Sequence, residues 1–339
     1  MTTTRHFKAI AIFATIALAL APLSACGSSS SSSSSQSSDS KIRVASSITQ
    51  WGSLVNKIGG DDIASTSIVS STGTSSQEYE PTTTDISGLP GADIAVVNGL
   101  GYDAWATDAL ENDTDTTVIN VADLVGAKDT DNPHLWFSKD ARDKTAEAVR
   151  DALEKLDPAN KDTYEKNYET WNTAESDLQK NLDMLRPEVK GHTYVATEDL
   201  AYYLLNDLGM VDITPEGFKN ARASESEPSA QDISEMKDIV SSKKVDVLVV
   251  NEQESDDITK ELTDAATSAN VSQFSLTESM PDEYGNLLDW INTLANSLML
   301  IMPASGSSSS SSSDPSSSPA SSTSSSTDAS SSDSSSSSN

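Results

Sequence analysis

Apolar and polar positions along residues 41–302 alternate between two periods. Residues 41–45, 63–69, 94–97 and 118–121 are short runs rich in Ile and Val, which suit strands. Between the first two, Trp51, Leu54, Val55 and Ile58 recur at helical spacing, and Gly59-Gly60 ends the run. Ile86 and Leu89 suggest a short helix closing at Gly91. The second half repeats the theme with strand 193–196, helix 198–208 and a helix opening at Ser229, where Asp232 completes a capping pair. Strand 245–250, helix 256–269, strand 271–276 and helix 284–300 follow. Strands alternating with helices predict parallel sheets covered on both faces, an α/β fold.

One long helix separates the halves. Asp157-Pro158 supply a cap and a first-turn proline, and Pro187 is expected to stop the pattern. Tyr164, Tyr168, Trp171, Leu178, Leu182 and Leu185 form a single apolar stripe. A helix of about 29 residues, roughly 43 Å long, is long enough to run the height of two lobes and tie them together. The predicted plan is an N-terminal lobe 41–156, an interlobe helix 157–187 and a C-terminal lobe 188–302.

Composition removes both ends from the folded part. Residues 28–40 and 303–339 are mostly Ser and lack the apolar surface that offsets chain ordering, so they are expected to be disordered. Residues 1–25 combine Arg5 and Lys8, an apolar run from Ala9 to Leu20 and small residues at 24–25, the pattern of an export signal. Cys26, the single cysteine, follows Leu23-Ser24-Ala25 as in a bacterial lipobox, so lipidation at Cys26 and a Ser-rich tether 26–40 are expected. A coil of that length reaches about 20 Å, which places the fold just outside a bacterial cell membrane. Only 22 Lys and Arg stand against 52 Asp and Glu, a net charge of −30. A nucleic-acid partner needs a basic footprint, and this chain has none.

No Ser-His-Asp order, phosphate-cradling glycine loop, CxxC pair or HExxH marks an enzyme, and no catalytic residue is expected. With His6 in the signal, only His134 and His192 remain. His134 lies in the loop Asp131-Asn132-Pro133-His134-Leu135-Trp136, where it can face an interlobe crevice or serve as a surface or capping group. Gln77 lies in a loop after strand 63–69. Glu198 follows strand 193–196 and is equally explained as an acid opposing the dipole of a helix's first turn. Glu278 follows strand 271–276 and is equally a solvated loop acid. All four nonetheless sit beyond the carboxyl ends of strands, where open α/β sheets place ligands.

Gln77-Glu-Tyr-Glu-Pro-Thr82, the run 93–105 and Asn132-Pro-His-Leu-Trp136 occur in an order that resembles the zinc/manganese solute-binding lipoproteins of ABC importers, the cluster A-I metal receptors. Leu156-Asp-Pro-Ala-Asn-Lys161 resembles the start of that family's rigid interlobe helix, and Glu225-Ser-Glu-Pro-Ser-Ala230 its second-lobe signature. The resemblance implies two parallel-sheet lobes joined by a rigid helix, and one divalent metal ion, Mn2+ or Zn2+, in the crevice. It also implies a monomer, a permease partner in the membrane and an extracytoplasmic, lipid-anchored location. Carried over position by position, the metal ligands are Gln77, His134, Glu198 and Glu278. Gln77 stands where the family has His, and Glu278 where it usually has Asp; His192 matches no ligand.

An amide oxygen, one imidazole and two carboxylates are mainly hard oxygen donors, which favour manganese over zinc. Two carboxylates balance a divalent charge, and cation uptake is expected to displace a proton. The departure at Gln77 and the Ser-rich tail suit a rival reading: a surface adhesion or interaction lipoprotein on the same fold with a weakened or lost metal site. A receptor for a small organic solute is a third reading, and it needs a mainly apolar crevice.

Overall fold

The computed structural model describes residues 41–70, 79–253 and 256–302. Cys26, Gln77, the expected signal, the tether and the tail lie outside the described residues. The first half runs β1 (Ile42–Ile48), α1 (Thr49–Gly59), β2 (Ile63–Val69), α2 (Thr83–Gly88), β3 (Ile94–Val97), α3 (Ala104–Leu110), β4 (Thr117–Asn120), α4 (Val121–Val125) and α5 (Lys139–Leu156). A long helix, α6 (Lys161–Val189), leads into the second half. There follow β5 (Thr193–Ala196), α7 (Tyr202–Asp207), β6 (Val211–Asp212), α8 (Glu216–Ala223) and α9 (Ala230–Ser241). β7 (Val247–Asn251), α10 (Asp257–Ala269), β8 (Ser272–Leu276) and α11 (Leu287–Ile301) complete it.

Each half builds a four-stranded sheet whose pairs are all parallel, ordered β2-β1-β3-β4 and β6-β5-β7-β8. The two sheets therefore share one plan. β3 and β7 are buried along their whole length, as a central parallel strand covered on both faces must be. The strand order reverses between β1 and β3, and again between β5 and β7. Connections diverge at such reversals and leave room for a ligand beyond the strand ends.

α6 fastens the halves together. Its buried face carries Tyr164, Trp171, Leu178, Leu182 and Val189, and it packs on α1 and α5 of the first half and α11 of the second. One continuous apolar cluster holds Trp51 and Leu54 from α1, Trp171 and Leu182 from α6, and Leu287 and Ile291 from α11. Each such Leu or Ile contributes about 1.5–3 kcal/mol by leaving water. The same face of α6 buries a charge: Glu175 receives two bonds from Arg142 of α5, Nη2 to Oε1 at 2.7 Å and Nε to Oε2 at 2.9 Å. Arg142 also donates from Nη1 to the Trp136 carbonyl at 2.9 Å, so the pair ties α6 to the turn that carries His134.

Several element limits shift by a few residues from those predicted, and three of the differences bear on the long helix and the site. Pro158 lies in a short 3-10 turn, Pro158–Asn160, and the α-helix starts at Lys161. Asp157 anchors that turn by accepting from Asn160 Nδ2 at 2.7 Å and from the Tyr164 hydroxyl at 3.1 Å. Pro187 does not stop α6, which continues to Val189, and Lys190 N–H still reaches the Arg186 carbonyl at 2.9 Å. A proline so near the end forfeits one backbone bond, a loss the last turn tolerates. The helix expected from residue 198 begins only at Tyr202, because residues 197–201 form a bend and turn. Glu198 thus lies outside the helix, and an acid in the first helical turn no longer accounts for it. Among the described residues no helix is long and apolar enough to cross a membrane.

Candidate metal centre

His134, Glu198 and Glu278 meet in one place. Each offers an atom within 4.8 Å of the other two. They come from three loops, one in the first half of the chain and two in the second. His134 and Glu278 are buried and Glu198 is nearly so.

The His134 loop is pinned before the imidazole is placed. Asn98 follows β3, accepts the Trp51 indole N–H at 3.1 Å and donates from Nδ2 to the Pro133 carbonyl at 2.9 Å. The turn after Asn98 is closed by Asp103, whose carboxylate accepts from the N–H groups of Asn98 at 2.6 Å and Gly99 at 2.9 Å. Gly99 has φ +83°, and a Cβ there would lie 2.4 Å from Asn120 Oδ1, so this turn needs glycine. Asn132 then orients the ring: its Oδ1 accepts from the His134 backbone N–H at 2.9 Å and pairs with Nδ1 at 2.8 Å. With the proton on Nδ1, Nε2 keeps its lone pair and points inward, 3.5 Å from Glu198 Oε1 and 3.9 Å from Glu278 Oε1. Trp136 and Tyr102 meet the ring edge-on, at centroid distances of 5.3 and 6.0 Å.

Glu198 occupies the bend after β5. Its Oε2 accepts from Asn251 Nδ2 at 2.6 Å, and Asn251 N–H in turn reaches Thr197 Oγ1 at 3.1 Å. Glu278 follows β8, its carbonyl accepts from Gln50 Nε2 of α1 at 2.9 Å, and the next N–H, of Ser279, reaches Gln253 Oε1 at 2.8 Å. The two halves also bond directly beside the site. Asn132 Nδ2 donates to the Asp199 carbonyl at 2.7 Å, and the Tyr203 hydroxyl donates to the Asn132 carbonyl at 2.8 Å. A cavity of about 850 Å³ opens onto His134 and Glu198, with Tyr102 and Asn132 on one wall and Tyr202 and Lys219 on the other.

Charge is unevenly shared. Burial lowers the proton affinity of His134, but Glu198, then Glu278 and Asp199, outweigh it, so the imidazole pKa is raised. Burial pushes Glu198 up, while the His134 imidazole and the Asn251 amide pull harder, so its pKa is lowered. The buried Asp199 is raised by desolvation, against the pull of Lys219. The His134 and Glu198 shifts both favour the state in which the imidazole holds a proton and the Glu198 carboxylate is ionised.

Donors bonded at about 2.0–2.2 Å to one cation lie about 3–3.5 Å from each other. The 3.5 Å between His134 Nε2 and Glu198 Oε1 already meets that spacing. One neutral imidazole and two carboxylates would also cancel a double positive charge. Of the four residues expected to act together, three converge, and Gln77 lies outside the described residues. His192 is elsewhere, 3.3 Å from Asp246. Asn132 and Asn251 also shape the site, though neither is a ligand candidate by sequence. Asn132 carried a signal in the Asn-Pro-His order; Asn251 carried only that of a polar residue closing an apolar strand.

A four-stranded parallel sheet in each half, one long helix against both and a His/Glu/Glu cluster where their loops meet define an α/β protein of two like halves with a candidate metal centre between them. Residues 44–299 match the family model of the zinc-uptake complex component A, periplasmic, and the chain belongs to that family. It is similar to the manganese-binding lipoprotein MntA of Halalkalibacterium halodurans, with 29% identity over 153 residues, 44% of this chain and 50% of that one. Its fold resembles that of the periplasmic zinc-binding protein TroA of Treponema pallidum, with a TM-score of 0.66 and 18% identity over 77% of this chain and 99% of that one. It likewise resembles the manganese-bound S38A mutant of a periplasmic metal-binding protein from Candidatus Liberibacter asiaticus, with a TM-score of 0.63 and 23% identity over 77% and 100%. The chain spans about half the length of the sequence relatives it matches.

Proposed function

We propose that this chain captures one divalent transition-metal ion between its halves and passes it to the permease of an ABC importer. His134 Nε2, Glu198 Oε1 and the Glu278 carboxylate hold the ion, with Gln77 as the fourth ligand. The observation that carries this reading is the convergence of the three donors within 4.8 Å, from loops in both halves of the chain. It argues against an adhesion protein that keeps the fold and has lost the site. Manganese is the favoured ion, because three of the four donors are hard oxygens. Relatives named for manganese and structural neighbours named for zinc and manganese support the same small group of cations.

The chemistry is capture and release, with no catalytic step. Asn132 keeps the imidazole in the tautomer that presents Nε2, and the carboxylates neutralise the ion, which is then shielded by Tyr102 and Trp136. Cys26 carries the lipid that keeps this monomer at the outer face of a bacterial membrane, within reach of its permease. Because α6 packs on helices of both halves, loading moves local loops such as 276–284 and leaves the overall dimensions unchanged. Thermal-shift series with manganese, zinc and iron(II), followed by elemental analysis, test the proposal. One of these ions should raise the melting temperature and be retained at one per chain, and Glu198→Ala combined with Glu278→Ala should abolish both effects. A chain that melts identically with every ion would overturn it.

A further inference from the structure

We infer that Asn251 sets the choice between divalent ions at this site, by limiting Glu198 to a single coordinating oxygen. The inference rests on the metal-receptor reading above. Asn251 closes β7 and is fully buried. Its strand pairs with β5 on one side and β8 on the other, with Ala196 opposite Val249 and Leu276 opposite Asn251. The backbone that carries Asn251 therefore lies between the two strands that deliver Glu198 and Glu278.

Its amide has one workable orientation. Oδ1 accepts the Gln253 backbone N–H at 2.9 Å, so Nδ2 is the atom turned to Glu198, and it donates to Oε2 at 2.6 Å. Exchanging the two amide atoms would lose both bonds and set an oxygen against a carboxylate. The Asn251 backbone N–H adds a third tie, to Thr197 Oγ1 at 3.1 Å, next to Glu198 itself. One carboxylate oxygen is thus committed to a buried donor. The other, Oε1, is the one that faces His134 Nε2 at 3.5 Å.

That division fixes how many donors the site offers. A carboxylate held by one oxygen contributes one ligand atom; released, it can contribute two. Zinc is content with four donors, whereas manganese takes a larger, oxygen-rich set. Donor type alone leans toward manganese here, and the Asn251 brace opposes that lean by keeping the donor count low. Asn251 is a positioning residue that acts on the ion through Glu198. Removing it should cost zinc more than manganese, within the 10–100-fold range by which outer partners of metal ligands act.

The test is competition between zinc and manganese for the full chain, comparing wild type with Asn251→Leu and Asn251→Ser, neither of which can reproduce the bond to Oε2. In both variants the ratio of zinc affinity to manganese affinity should fall by about 10-fold or more. Equal losses for both ions would mean that Asn251 merely holds the fold, and would overturn the inference while leaving the receptor reading intact. If neither variant folds by circular dichroism, a crystal structure of the zinc-loaded wild type decides. Glu198 should bind through Oε1 with Oε2 still on Asn251; Oε2 also at a bonding distance of about 2.0–2.2 Å would refute it. A wild-type chain that takes up neither ion removes the receptor reading, and the inference with it.

Discussion

Arg142→Met tests how the halves are held. The guanidinium and the Glu175 carboxylate are 1% and 2% exposed and share two hydrogen bonds, so removing the cation strands a buried anion. Breaking a buried pair from one side costs about 3–5 kcal/mol, whereas replacing both partners by apolar residues is often nearly neutral. The single variant should therefore lose about 3–5 kcal/mol near pH 7, and Arg142→Met with Glu175→Met should regain most of it. The pH dependence carries the sign. In the wild type, desolvation raises the Glu175 pKa, but Arg142, then Gln179 and Lys139, outweigh it and the net shift is downward. That contribution is fully present above the unfolded carboxylate range and is lost as pH falls through the lowered folded value. Without Arg142, desolvation dominates and the folded pKa rises, so the variant gains stability from protonation on acidification. The gap between the two should be widest near neutrality and shrink as pH falls across that window. Urea denaturation at a series of pH values measures it. A gap below about 1 kcal/mol at pH 7, or one that does not change with pH, would refute the reasoning.

Three further outcomes follow from the site and its frame. Asn132→Leu removes the acceptor for His134 Nδ1 and should weaken metal binding about 10–100-fold by isothermal titration; unchanged affinity would show that the ring is held by its aromatic neighbours alone. Because Glu198 raises the imidazole pKa, metal uptake below that pKa must expel the imidazolium proton, so affinity should fall with pH and apparent heats should vary with the buffer's ionisation enthalpy. Equal heats across buffers would contradict the charge distribution described here. Gly99→Ala places a Cβ 2.4 Å from Asn120 Oδ1 at φ +83°, and should lower stability by more than about 1 kcal/mol, read as a drop in melting temperature.

The α/β architecture was legible wherever periodicity and burial agree. Strands 63–69 and 94–97 occupy the residues their apolar runs predicted, and Ser229 caps α9 by accepting from the Asp232 N–H. The stripe on α6 likewise named Tyr164, Trp171, Leu178 and Leu182 as core. β6 escaped notice because two residues carry no period. Residues 197–201 read as helical because their composition allows it, yet bonds from Thr197 to Val249 and Asn251 hold them in the bend that aims Glu198. His134, Glu198 and Glu278 were found through a likeness of motifs, since nothing in spacing alone says that residues 64 and 80 positions apart share a cavity. Asn132 and Asn251 act only through orientation, which appears once partner and distance are known.

Anomalous diffraction from the full chain grown with manganese tests the central claim most directly. A single manganese peak bonded to His134 Nε2, Glu198 Oε1 and a Glu278 oxygen, at about 2.0–2.3 Å, is the predicted result. A peak at some other cluster of acids, or none between the halves at saturating manganese, would contradict it.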